Sequence, residues 1–383
     1  MKRRNIADSA AAQRLRCAGD SQAMDKILQQ ECRRRASRKL AATLLCPDFR
    51  FPTSLSAEQC TSDEIARIHA DMVQPGASVL DMTCGLGIDA FHIARRASSV
   101  IAIDINHDVA GAVGHNAAAL GLDNVTGVCA DSAEWLADRP DVRFDVVFID
   151  PARRSDSGRR VFGLSDCTPD VISLLPLIRC HTDRLIVKAS PMLDIKALIR
   201  DEGLRPAHIY AIGTRSECKE LVLDFRFGEE TDDPVIHAVT SCHGETSFRM
   251  SQSASARAAV AAVGDLVPGV FVAEPWPAVM KAGGYDLLPG HRLHPSTHIY
   301  IIEPGEEEFP GDVYTVESVT EFSSSNLRRL GREGVDGSVA VRNFPLSADE
   351  LRKRLKARES DCRRIMGVTA ASGRVLLTLS AVR

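Results

Sequence analysis

The stretch Val79-Leu80-Asp81-Met82-Thr83-Cys84-Gly85-Leu86-Gly87-Ile88-Asp89 carries residue types suited to holding a small ligand. An apolar run ends in a carboxylate, two glycines permit a tight turn, and a helix-forming segment follows. Glycine lets backbone approach a bound group closely, and the first N–H groups of a helix have no partners within it. A second apolar run ends in Asp104, about 20 residues beyond the loop, where one carboxylate can accept both hydroxyls of a ribose. A third ends at Cys129-Ala130-Asp131-Ser132, where an acid can take a hydrogen bond from an adenine amino group. In this order Gly85, Gly87, Asp104 and Asp131 line one nucleoside-bearing cofactor along successive strand ends. The plainer alternative is that these acids only cap the helices that follow them.

Charge selects the cofactor. Gly85-Leu86-Gly87 followed by Ala90 is compatible with a dinucleotide loop. Asp81 argues otherwise, because a carboxylate there repels a pyrophosphate and suits a ligand bearing a sulfonium and an ammonium. S-adenosyl-L-methionine is therefore the expected cofactor.

The elements that must hold these residues are legible as a pattern. From Pro75-Gly76 to about Gly228, short apolar runs alternate with helical segments. The predicted strands are 78–82, 100–104, 125–129, 145–150, 184–188, 208–213 and 221–225; helices are predicted over 89–95, 108–121 and 132–136. Such alternation predicts an α/β domain with a Rossmann-like, mostly parallel sheet of seven strands covered on both faces, the last two strands pairing antiparallel. Residues 1–50 read as helical, with apolar spacing at 10–15, 24–28 and 40–45, and Thr61 or Ser62 caps a helix through Ile65, Ile68 and Met72. After a Ser/Ala-rich join at 229–268, a smaller α+β region is expected. Its helices are 274–282, 323–330 and a basic 347–357; its strands are 298–302, 313–319, 338–341, 365–369 and 375–379.

The motifs Asp81-Met82-Thr83-Cys84-Gly85-Leu86-Gly87, Asp104, Asp131 and Asp150-Pro151 resemble the ordered motifs of class I S-adenosylmethionine-dependent methyltransferases. The Cys-Gly-x-Gly form, with Thr83 where many members have the first glycine, is similar to the variant common in nucleic-acid methylases; it implies Asp81 and Thr83 as further cofactor-binding residues. Cys60-Thr61-Ser62-Asp63-Glu64 resembles the segment preceding the core of RNA guanine-N2 methylases. Longer strings resemble a bacterial methyltransferase-like group with ferredoxin-like and THUMP-like modules at the C-terminus. They are Leu55–Cys60, Asp150–Arg154, Lys188-Ala189-Ser190-Pro191-Met192-Leu193-Asp194 and Val341-Arg342-Asn343-Phe344-Pro345-Leu346. This resemblance runs from about residue 40 onward. It implies a methyltransferase domain at 55–228, a ferredoxin-like module at 269–312 and a THUMP-like module at 313–383; the helical spacing gives the region 1–54 before them and the composition the linker at 229–268.

Within that resemblance, Asp150 and Pro151 take the catalytic position after strand 145–150, orienting an acceptor amine so that its lone pair faces the methyl carbon. Methyl transfer is an in-line displacement, and positioning supplies much of its acceleration. Ala152 stands where amino methylases carry an aromatic residue, so base stacking has no residue there. Arg153, Arg154 and Lys188 are expected at substrate phosphate, the alternatives being surface ion pairs for the arginines and a sheet-capping role for the lysine. Asp-Pro-x-Arg also resembles RNA 5-methyluridine methylases. Those need a cysteine nucleophile just past the next strand, and 188–192 holds none. Glu217-Cys218-Lys219-Glu220 reads as a charged loop, with a place at the acceptor rim as the alternative.

Composition bounds the partners. The chain has 383 residues, 44% hydrophobic and 26% charged, and its apolar runs fall short of the roughly 18 residues of a membrane span. Asn5-Ile6-Ala7-Asp8 follows the basic start where a secretory signal would be apolar, so a cytoplasmic protein with reduced cysteines is expected. The 11 cysteines stand singly and His291, His294 and His298 read as loop residues, so no metal is expected. Residues 1–40 and 327–383 each carry +7, leaving −18 for 41–326. Basic flanks of this kind fit a polyanion, solvated helix faces being the alternative, and the resemblance to THUMP-like modules implies structured RNA as the partner. The reaction expected is methylation of RNA at a base exocyclic nitrogen, guanine N2 first. The alternatives are a non-catalytic RNA-binding protein that keeps the cofactor site and a small-molecule methyltransferase.

Overall fold

A computed structural model of the chain describes residues 21–153, 164–200, 203–303 and 309–382. It divides into two compact units, one built from the described residues up to Ile209 with Glu220–Pro234, the other from Tyr210–Lys219 with the described residues from Val235 onward.

The first unit opens with α1 (Ser21–Ala36), α2 (Ser54–Gln59) and α3 (Asp63–Met72). The expected apolar spacing at 10–15 lies outside the described residues. Ser62 caps α3, its hydroxyl accepting from the Ile65 N–H at 3.3 Å, and Asp63 and Glu64 place negative charge in the first turn. Then come β1 (Ser78–Asp81), α4 (Ile88–Ala94), β2 (Ser99–Asp104), α5 (His107–Ala119), β3 (Val125–Cys129), α6 (Ser132–Ala137) and β4 (Val146–Ile149). A two-residue ladder, β5 (Ala152–Arg153) against β6 (Cys167–Thr168), ties the chain after Pro151 to the approach to α7 (Val171–His181). Next are β7 (Arg184–Ala189), α8 (Ile195–Arg200), β8 (His208–Gly213) and β9 (Cys218–Arg226).

The seven expected strands stand in the order β8-β9-β7-β4-β1-β2-β3. β1 is parallel to β2 and β4, β4 to β7, and β2 to β3, while β9 is antiparallel to β7. All of β4 is buried, as a strand covered on both faces must be. The Arg184 guanidinium bonds both oxygens of the fully buried Asp224 at 2.9 and 2.8 Å, fixing β7 to β9. At Gly127 a Cβ would lie 2.7 Å from the Ala110 carbonyl oxygen, so a residue without a side chain lets α5 close on β3. The chain runs outward from β1 to β2 and β3, then returns to place β4 on the other side of β1. The strand order thus reverses between β1 and β4, and it is outside the carboxyl ends at such a reversal that open α/β sheets bind ligands.

The second unit corrects three expectations. Residues 229–268, read as a join, contain the hairpin β10 (Val235–Thr240) and β11 (Gly244–Arg249) and the short α9 (Met250–Ser255); the hairpin continues the larger sheet beyond β8, giving nine strands where seven were expected. β12 (Phe271–Pro275) occupies the start of the helix expected at 274–282, and α10 (Pro277–Ala282) begins only with Pro277 at its first position. His291–His294, expected in a loop, is β13, because Arg292 and Leu293 are buried against its neighbour.

β14 (Thr297–Ile302), β15 (Gly311–Glu321), α11 (Ser324–Glu333), β16 (Ser338–Arg342), α12 (Ala348–Leu355), β17 (Arg363–Ala370) and β18 (Gly373–Ala381) complete the chain. The sheet order is β13-β14-β12-β15-β18-β17-β16. Alternation along β17 and β18 sends Met366 and Leu377 to one core with Val272 and Val316, and Ile365 and Leu376 to another with Leu327, Leu351 and Leu355 of the two helices. The Asn343-Phe344 string has a structural reason. Asn343 takes a left-handed turn (φ 49°) and Phe344 lies on Gly367, where a Cβ would meet its ring at 2.9 Å.

Candidate active site

The loop after β1 is tied to the strands on both sides. Met82 N–H donates to the Phe148 carbonyl at 2.9 Å, and Cys84 N–H to that of Ile103 at 2.9 Å. Gly85 N–H donates to Asp104 Oδ2 at 3.2 Å. Gly85 and Gly87 have φ of 52° and 85°, and at Gly87 a Cβ would strike the Phe91 ring at 2.7 Å. Any other residue at Gly87 would be strained and would have to displace the Phe91 ring. Register places Asp81 opposite Ala102 and Phe148, and Asp104 opposite Cys129, so the acids emerge at one carboxyl edge of the sheet.

The donor set fits the expected cofactor. Asp104 is half-buried; its Oδ1 accepts from Asn106 N–H at 2.8 Å, and a lone pair remains on each oxygen for ribose hydroxyls. Ile105 beside it is 75% exposed, an apolar surface next to that acid. Asp81 is 1% exposed and, among the described residues, its Oδ1 accepts only from Thr83 N–H, at 3.1 Å. Burial raises its pKa to about 8; the Thr83 N–H works against this, and Asp89 and Asp150 add to it. Asp131 is exposed and caps α6, Oδ1 accepting from Ala133 and Glu134 N–H at 2.8 and 3.1 Å, which leaves Oδ2 outside that cap.

Beneath the β4 tip lies a buried ionic cluster. Lys188 Nζ donates to Asp150 Oδ2 at 2.7 Å, Thr61 Oγ1 at 2.8 Å and Asp89 Oδ2 at 3.1 Å, with Glu220 Oε2 at 3.7 Å. Thr61 Oγ1 donates to Asp89 Oδ2 at 2.6 Å. His69, fully buried on α3, holds Asp89 Oδ1 at 2.8 Å through Nδ1 and Glu220 through Nε2. Burial would neutralise His69, but Glu220 and Asp89 outweigh it and raise its pKa to about 9. Burial would likewise protonate Asp89, but Lys188 and His69 keep it ionised. Lys188 loses by burial and gains more from Asp89, Asp150 and Glu220, so it stays charged.

Lys188 therefore does not stand where it could reach a substrate phosphate: it is 5% exposed and its three N–H bonds are taken. Thr83, expected at the cofactor, accepts the Asp150 N–H at 2.7 Å through its hydroxyl. Asp150 itself is exposed and Pro151 is buried behind it. The side chain of Arg153 and all of Arg154 lie outside the described residues. Thr61, His69, Asp89 and Glu220 were not singled out as site residues; Glu220, expected in a charged loop, is within β9. The signal was available in Arg184-Leu185-Ile186-Val187-Lys188-Ala189: a lysine inside an otherwise buried strand demands buried counter-ions. Among the described residues no three His, Cys, Asp or Glu side chains converge as metal ligands, and no helix is long and apolar enough to cross a membrane.

A parallel sheet with a glycine turn after β1, acids at successive strand tips and an Asp-Pro step after β4 defines a class I methyltransferase. A methyltransferase-domain profile matches residues 79–155, and a THUMP domain-like profile matches 311–379. The crystal structure of a candidate methyltransferase from Porphyromonas gingivalis W83 matches with a TM-score of 0.84 and 30% identity, covering 94% of this chain and 90% of that one. An uncharacterized S-adenosylmethionine-dependent methyltransferase of Mycobacterium tuberculosis H37Rv is 33% identical over 192 residues, 49% of this chain and 50% of its own. A 23S rRNA (uracil(1939)-C(5))-methyltransferase of Photobacterium angustum is 36% identical over 92 residues, 22% of this chain and 40% of its own. The chain spans about half the length of the first two curated relatives it matches. It belongs to the S-adenosylmethionine-dependent methyltransferase family, in the form that carries a THUMP-like domain.

Proposed function

We propose that the protein transfers a methyl group to an exocyclic nitrogen of a base in structured RNA, guanine N2 being the first candidate. The observation that carries this reading is Asp150: an exposed carboxylate at the carboxyl ends of β1 and β4, held by Lys188 on one oxygen and without a partner among the described residues on the other. S-adenosyl-L-methionine supplies the methyl group on a sulfonium. Asp104 would hold its ribose, Asp131 its adenine amino group, and Asp81 its ammonium. Gly85 and Gly87 would let the loop lie close against it.

At the acceptor, Asp150 Oδ1 accepts from one amino N–H, which turns the nitrogen lone pair toward the methyl carbon. When the nitrogen–carbon bond forms, the methyl–sulfur bond would break with its electron pair left on sulfur, and the amine loses a proton, which Oδ1 can take and pass to solvent. The RNA methyltransferase named above is a uracil-C5 enzyme, but carbon methylation through a cysteine adduct finds little support here. Cys84, the thiol in the cofactor loop, is buried and its pKa is driven well up by that burial, so it is no thiolate.

The test combines titration calorimetry with S-adenosylhomocysteine and labelled methyl transfer to total RNA, followed by digestion to nucleosides. Cofactor binding, lost in Asp104→Ala, and label in a base-methylated guanosine are expected. Label on uracil C5 or on a sugar overturns the acceptor assignment. Binding without labelled RNA favours the non-catalytic RNA-binding alternative.

A further inference from the structure

We propose that Thr83 and Lys188 are positioning residues that clamp Asp150 at two points, backbone and side chain, and so set the geometry of the methyl acceptor. The inference rests on the acceptor role given to Asp150 above and names what aims it.

An aspartate in a loop after a strand has free rotation about two bonds, and an acceptor aimed by it would be aimed poorly. Here the loop backbone and the carboxylate are each tied down. The Asp150 N–H donates to Thr83 Oγ1 at 2.7 Å, which fixes the backbone of the acceptor loop to the cofactor loop. Its Oδ2 accepts from Lys188 Nζ at 2.7 Å, which fixes the carboxylate plane and leaves Oδ1 without a partner among the described residues. The Asp150 side chain is 46% exposed while that of Lys188 is 6% exposed, so the clamp is sheltered and the free oxygen is presented. Lys188 cannot swing away, since Thr61 Oγ1 and Asp89 Oδ2 take its other two hydrogens. Asp89 is in turn held by His69 and by the Thr61 hydroxyl. Thr83 also gains a reason: a glycine at that position would have no hydroxyl for the Asp150 N–H.

The test is a double-mutant cycle in the full chain. Thr83→Val keeps the shape and removes the hydroxyl; Lys188→Met keeps most of the length and removes the charge. At saturating cofactor each is expected to lower turnover by about 10- to 100-fold, the scale set by an ångström-level misplacement. S-adenosylhomocysteine affinity should stay within about 3-fold, since neither clamp bond involves the cofactor's charged groups. Thr83→Ser, which restores a hydroxyl, is expected to recover most of the turnover. In an Asp150→Asn background the Thr83→Val loss should shrink toward nothing, because the two changes act through one group. Unchanged turnover in Thr83→Val, or the same loss with and without Asp150→Asn, overturns the clamp. Thr83→Val carries this test if Lys188→Met does not fold. Should the wild type label no RNA, the functional reading fails by itself; crystals of Thr83→Val with S-adenosylhomocysteine then decide the clamp, and an Asp150 that has not moved overturns it.

Discussion

Asp81 is where charge in the site does not balance. Four carboxyl groups (Asp81, Asp89, Asp150 and Glu220) share the region with two cations, Lys188 and His69, and both cations are engaged by the other three acids. Asp81 has one backbone N–H and burial, so in the ligand-free protein it holds its proton up to about pH 8. A cationic cofactor beside it would drive that proton off. Calorimetry at pH 7 in buffers of different ionisation enthalpy should therefore show release approaching one proton per S-adenosyl-L-methionine bound, abolished in Asp81→Asn. No buffer dependence would remove Asp81 from the ammonium site.

The sign for stability follows from the same groups. The folded state keeps the Asp81 proton after the unfolded chain has lost it, so Asp81 makes the ligand-free protein less stable as pH rises from about 4 to about 8. His69 has its pKa raised from 6.5 to about 9, so its contribution is complete below 6.5 and is lost as pH rises through 9. Both act in one direction between pH 6.5 and 8, each by at most about 1.4 kcal/mol per pH unit. The melting temperature of the ligand-free protein should fall across that window and fall less with cofactor bound; a flat or rising profile would contradict the assignment. The acids of this site were legible because each ends an apolar run. Their partners were not, because His69, Asp89, Lys188 and Glu220 are far apart in sequence and only the fold brings them together.

At the scale of elements, the helical N-terminal region is fastened to the sheet by polar clamps that periodicity does not reveal. Asn116 on α5, fully buried, accepts the Arg50 N–H at 2.7 Å and donates to the Arg50 carbonyl at 2.9 Å. Asp63 at the start of α3 accepts from Ala42 N–H, Thr43 N–H and His92, at 2.8, 3.0 and 3.0 Å, and from the Thr43 hydroxyl. These bonds outweigh burial and bring its pKa to about 2, so its stabilisation is present above about pH 4 and is lost as pH falls toward 2. Asn116→Ala leaves both Arg50 backbone groups unpaired and should cost about 1–3 kcal/mol, or about 2–4 °C in melting temperature for each kcal/mol. An unchanged melting curve would show that this clamp does not hold the region. The parallel strands were readable from their apolar runs and the acids closing them. The hairpin β10–β11 was not: its alternation is clear in Val235–Thr240, but it lies in a polar, turn-rich stretch, and its pairing is what makes it a strand.

At the scale of the whole molecule, the charge asymmetry of the sequence is reshaped by pairing. Arg363 is spent on Glu317 at 2.8 Å, Arg364 on Glu274 at 3.1 Å and Arg358 on Asp336 at 2.7 Å. Arg352 lies 3.5 Å from Asp349 and 3.9 Å from Glu359. Lys353, Arg354 and Lys356 remain exposed, with no ion pair among the described residues, at the C-terminal end of a helix whose dipole favours them. Like Arg328, Arg332 and Arg374, which are also exposed and without an ion pair among the described residues, they are available to neutralise phosphate. Paired arginines must give up a carboxylate before they can bind one, so they contribute less for the same formal charge. If structured RNA docks here, its affinity falls with salt, and each cation that meets a phosphate adds about 0.7–0.9 to the slope of log K against log salt concentration. Replacing Lys353, Arg354 and Lys356 with alanine should weaken binding of total transfer RNA and lower that slope by about 2 to 3. The matching replacement of Arg358, Arg363 and Arg364 should change the slope by less. Filter binding across a potassium chloride series reads both, and an equal fall in the two triple variants would show that net charge alone, and not these three side chains, governs docking.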